Sequence, residues 1–72
     1  MITCIVADDW EGLYVEGKLK TESHSLNVRE VLSLLVGIKI ERVSRIYIEQ
    51  DYMEEIGSLP SLLSDLPKNK LY

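Results

Sequence analysis

Ala7-Asp8-Asp9-Trp10-Glu11-Gly12-Leu13-Tyr14-Val15-Glu16-Gly17-Lys18-Leu19-Lys20-Thr21 decides the fold. It holds two turns separated by a short β-prone run. Asp8 to Gly12 form the first, and the glycine releases the chain into Leu13-Tyr14-Val15. Glu16-Gly17 form the second, with Gly17 supplying the positive φ that a tight hairpin demands before Lys18-Leu19-Lys20-Thr21. Upstream, Ile2 to Ala7 is a β-branched run that alternates poorly, as a strand covered on both faces does, with the Cys4 thiol directed to the core. The three runs predict a meander.

Downstream the period changes. Asn27 is an N-cap with Glu30 three residues later, and Leu26 and Val31 have the spacing of a hydrophobic staple. Val28, Val31, Leu32 and Leu35 then recur on one side, widened by Leu34 and Val36, until Gly37 stops the helix. The spacing predicts a helix over 28–36 whose stripe packs on the sheet, with Leu32 in the core. After Ile38-Lys39-Ile40-Glu41, the segment from Arg42 to Glu49 alternates: Ile46 and Ile48 on one face, Val43, Arg45 and Tyr47 on the other. Asp51 and Glu54 suggest a short helix from Tyr52 to Ile56 closed by Gly57, and Leu62, Leu63 and Leu66 one more turn. The expected architecture is a single small α+β domain over 1–67: a mostly antiparallel sheet of about four strands in βββαβ order, one helix on a face and short C-terminal helical turns. Residues 68–72, after Pro67, read as a tail.

A chain of 72 residues has a marginal core unless something supports it. Cys4 is the only cysteine, so no intrachain disulfide is available, and one Cys with one His makes no tetrahedral soft metal site. Good packing or self-association, most simply a homodimer, is the remaining support. Hydrophobic residues at 46% exclude a disordered chain, and the net charge of −4 with scattered basic residues argues against a nucleic-acid binder. The opening residues lack a basic signal region and no apolar run spans a bilayer, so neither secretion nor a membrane is expected. A lone thiol fits the reducing cytoplasm.

Trp10 is the outstanding candidate for function. Ringed by Asp8, Asp9 and Glu11, it is either a lid on a small core or an anchor for a protein partner, with Tyr14 and Tyr47 extending the patch if they share an exposed sheet face. The carboxylates do not have the spacing of a hard-cation loop and read as turn caps. His24, between Ser23 and Ser25, lacks the base, orienter and oxyanion site that nucleophilic catalysis needs. No catalytic or cofactor signature is present. The alternative to partner binding is a small ligand held near Trp10 and His24 between subunits.

The segment Ala7 to Leu19, with His24-Ser25 and Gly57-Ser58-Leu59-Pro60, resembles a group of short proteins of bacteria and their phages that carry no assigned activity. The resemblance covers most of the chain and implies a bacterial or phage cytoplasmic protein. It also implies an interaction role, since small acidic phage proteins often bind and block host proteins, and it transfers no catalytic residue.

Overall fold

β1 (Ile2–Val6) runs through the middle of the molecule, paired on both edges and covered on both faces. It belongs to a computed structural model that describes residues 1–38 and 42–72, without the side chain of Glu30. β2 (Glu11–Val15) and β3 (Lys18–Ser23) follow as the expected meander, both pairings antiparallel. α1 (Val28–Leu34) then leads back, and β4 (Val43–Tyr47) lies beside β1, giving the order β3-β2-β1-β4. β4 is parallel to β1, so the sheet is mixed rather than purely antiparallel. A parallel neighbour needs a crossover of about a dozen residues or more, and the chain between β1 and β4 supplies a much longer one. α2 (Gln50–Ile56) and 3-10 turns at Leu63–Asp65 and Lys68–Lys70 complete the described residues.

The poor alternation of β1 has its cause in two cores. One face carries Ile5, Tyr14 and Ile48 under Met53, Leu59 and Leu66. The other carries Ile2, Leu13 and Val15 under Leu26, Val31, Leu35 and Ile38. Burying aliphatic side chains of this size contributes about 1.5–3 kcal/mol each, so losing either cover would be severe for a small domain.

Both turns form, the second where expected and the first shorter than expected, since Glu11 and Gly12 already belong to β2. Glu16 joins Gly17 at positive φ (51° and 78°), because a two-residue mirror-image turn needs that sign at both central residues. Gly12 has a different task. A Cβ there would lie 2.0 Å from Leu59 Cδ1, so the glycine lets the buried Leu59 rest on the backbone of β2.

Asn27 caps α1 through Oδ1, which accepts the Arg29 N–H at 2.8 Å. The α-helix ends at Leu34, short of the expected 36. Its stripe divides: Val31 and Leu35 pack on the sheet, whereas Val28 and Leu32 are 73% and 61% exposed. The expected core position of Leu32 is therefore corrected. The apolar band is wider than the small patch of Ile2, Leu13 and Val15 beneath it, so one edge is left over.

Residues 68–72, expected as a tail, are part of the structure. Tyr47 and Tyr72 exchange both backbone hydrogen bonds, at 2.9 and 2.8 Å, and Glu49 N–H donates to Lys70 O. Pro67 starts a turn that turns Leu71 into the core beside Ile48.

Gly12→Ala should destabilise the fold by about 1–3 kcal/mol through overpacking. Leu59→Ala alone should cost about 2–5 kcal/mol. In the double variant the clash with Leu59 Cδ1 is gone and the added methyl keeps an ordinary contact with Leu19 Cδ1 at 3.6 Å, so denaturant melts should show a total well below the sum of the two.

Candidate functional site

The loop that joins β1 to β2 is held by the backbone of Asp8 and by the carboxylates of Asp9 and Glu11, while the Asp8 carboxylate faces solvent. The Asp8 N–H donates to Gln50 Oε1 at 2.9 Å, and Gln50 Nε2 donates to Asp9 Oδ1 at 2.8 Å. One glutamine at the start of α2 thus clasps both aspartates' segment. Glu11 Oε1 accepts the Leu26 N–H at 3.1 Å, tying β2 to the approach to α1. Among the described residues no group of three or more His, Cys, Asp or Glu is arranged to hold a metal ion.

Trp10 is partly buried against the larger core. Its indole N–H donates to Glu22 Oε1 at 2.9 Å, and the same oxygen accepts the Leu59 N–H at 2.9 Å. Glu22 therefore links β1–β2, β3 and the chain after α2 through one atom. His24 stands edge-on to the indole, centroids 5.0 Å apart at 82°, with Nδ1 3.1 Å from Asp9 O. The two residues of the alternative ligand reading are thus in contact. They border a hollow of about 220 Å³ with Asp9, Gln50, Met53 and Glu54.

Tyr14 and Tyr47 are not brought together. Tyr14 pairs with Thr3 and Tyr47 with Val6, neighbours whose side chains leave β1 on opposite faces. Tyr14 is fully buried, so the expectation that it extends a contact patch is corrected. Its hydroxyl donates to Pro60 O at 2.6 Å, and burial, followed by the Glu22 and Asp65 carboxylates, pushes its pKa up to about 12. Tyr47 is exposed and stacks on Tyr72 at 5.9 Å, with the Arg45 guanidinium 5.4 Å from its ring centre. Cys4 is half-buried; burial and then Glu11 push its pKa up, with Arg45 opposing, so the thiol stays protonated near neutrality.

A larger concavity lies elsewhere. A groove of about 930 Å³ runs between β4, the β2–β3 turn and the C-terminal segment, floored by Ile46, Leu62, Leu63, Leu66 and Leu71. Lys18, Arg45 and Lys68 line it, with Glu16 as its one acidic side chain, and Glu16 pairs with the amino group of Met1. Sequence reading identifies each of these residues but not their meeting, because they come from three distant segments. A basic groove on an acidic chain is the signal that only the fold reveals.

Comparison with protein-family models, with curated proteins and with solved structures gives no match. Among the described residues no helix is long and apolar enough to cross a membrane.

Glu22→Ala leaves the Trp10 and Leu59 donors without their acceptor and should cost about 1–3 kcal/mol in denaturant melts, whereas Glu22→Gln, which keeps an oxygen, should cost less. Tyr14 yields a pH prediction. Its pKa is raised on folding, so its contribution to stability is complete below pH 10 and is lost as pH climbs towards about 12. Tyr14→Phe should be less stable than the parent at pH 8, and the gap between the two should narrow across that alkaline window. A constant gap would remove the assigned role of the phenol.

Proposed function

We propose that this protein is a non-enzymatic protein-binding module of the cytoplasm that self-associates, most simply as a homodimer. The observation that carries the reading is the leftover edge of α1. Val28 and Leu32 lie one turn apart and point away from the sheet, with Val36 just beyond the helix 78% exposed. Each such side chain stands to gain about 1.5–3 kcal/mol on full burial, and a partner is the simplest source of that burial. A second copy is the first partner to expect. The domain is small, has one cysteine, and shows no metal-binding group among its described residues.

The resemblance to short bacterial and phage proteins supports an inhibitor or adaptor acting on a host protein. The position of that contact differs from the one read in the sequence. The carboxylates of Asp9 and Glu11 are spent on glutamine and backbone donors, Trp10 is tied to Glu22, and Tyr14 is buried, which leaves only the exposed Asp8 carboxylate of that acidic group open. Of the original patch, Tyr47 keeps an open ring, enlarged by Tyr72.

A second reading, a small-ligand binder, rests on the contact between Trp10 and His24 beside the 220 Å³ hollow. At that size the hollow suits only a small polar molecule. Trp10 fluorescence during a titration separates the two readings, since a ligand there must perturb the indole.

Val28→Lys and Leu32→Lys together should leave the thermal midpoint of the dilute protein within a few degrees of the parent. They should abolish the rise of that midpoint with protein concentration that mass action gives a dimer. Sedimentation showing the parent to be a monomer at every concentration would overturn self-association. Unfolding of the double variant would return α1's outer edge to the core.

A further inference from the structure

The outer edge of β4 is half occupied. In β4 the even-numbered residues face β1: Ile48 N–H donates to Val6 O, and the register pairs Ser44 with Thr3 and Ile46 with Ile5. The odd-numbered residues therefore turn their backbone groups outward. At Tyr47 those groups are taken by Tyr72, in antiparallel pairing. At Arg45 and Val43 no partner is present among the described residues. This open stretch borders the basic, apolar groove, which Arg45 and Ile46 help to line.

We propose that the open edge at Val43–Arg45 and the adjoining groove form a docking site for an extended acidic–apolar peptide segment of a partner protein, added antiparallel to β4. The register dictates the pattern of side chains. A strand in line with residues 70–72 sets successive residues opposite Ile46, Arg45, Ser44 and Val43. Those opposite Ile46 and Ser44 fall on the face where Leu62, Leu63 and Leu66 floor the groove, so they are apolar. The residue between them faces Arg45 and is a carboxylate, as cross-strand pairing of opposite charge favours. Lys18 and Lys68 extend the positive potential along the groove.

Charge complementarity selects this occupant over a second copy. The chain has a net charge of −4, yet the side chains lining the groove include three cations and a single acidic one, Glu16, already engaged by the Met1 amine. A second β4 docked here would bring another Arg45 alongside the first. The inference deepens the protein-binding reading and rests on it, while using a surface separate from α1.

The test is a titration of the isotope-labelled 72-residue protein with a blocked peptide of alternating leucine and glutamate, followed by amide shifts. The expected result is saturable change at Val43–Arg45 and Leu62–Leu66, slowed exchange of the Arg45 amide, and weakening as salt is raised. Arg45→Glu, with a native-like spectrum, should bind the peptide at least about tenfold more weakly. The same variant should accept a leucine–lysine peptide that the parent rejects. Shifts confined to α1 would overturn the site but leave the protein-binding reading standing. Arg45 amide changes that follow protein concentration alone would assign the edge to a second copy and overturn the proposal. Absence of any binding would overturn it too, and the α1 variants would then judge the broader reading independently.

Discussion

Everything in this molecule depends on β1 being buried on both faces while paired on both edges. Five consecutive residues without a polar side must be covered twice, and a short chain has little material for the purpose. The solution assigns α1 to one face and α2 with the C-terminal turns to the other. The parallel β4 closes the second edge. Each cover lies far from β1 in sequence, so the fold is dominated by contacts that form only on collapse.

The carboxylates of Asp9 and Glu11, with that of Glu22 in β3, join the two covering layers. Two layers must be joined at one end of the sheet, and the joints are polar: Gln50 to the Asp8–Asp9 segment, Glu11 to Leu26, and Glu22 to both Trp10 and Leu59. A charged acceptor with two donors gives a stronger tie than a neutral one. Asp9, Trp10 and Glu11 therefore read as binding residues in the sequence and act as fasteners in the fold. The surfaces we propose for partners lie where apolar area exceeds what the sheet can use: the outer edge of α1, and the groove beside β4.

Local signals were the legible part. Gly17, Asn27, Gly37 and Gly57 announce their turns and caps because positive φ and capping are properties of one or two residues. The α+β class and the βββαβ order followed from periodicity. What could not be read were choices made by distant neighbours. The parallel placement of β4 depends on which edge of β1 is vacant. Tyr14 and Tyr47 were separated by strand register, since a shift of one residue exchanges the faces. The wide stripe of α1 predicted burial of Leu32, but how much of a stripe is used depends on the area beneath it. Leu71 and Tyr72 look like a tail in isolation and act as an edge strand because Tyr47 offers them free backbone groups. Residues 39–41, which lead into the alternating segment, lie outside the described residues.

Amide hydrogen exchange along β4, residue by residue, tests the central claim that this strand is paired to β1 on one side and open over its first half on the other. The account predicts an alternating record. Ser44, Ile46 and Ile48 should be protected close to the global unfolding limit, Tyr47 protected less, through Tyr72, and Val43 and Arg45 should exchange rapidly. Equal protection at Ser44 and Arg45, or protection on the odd-numbered residues in place of the even, would contradict both the parallel register and the open edge.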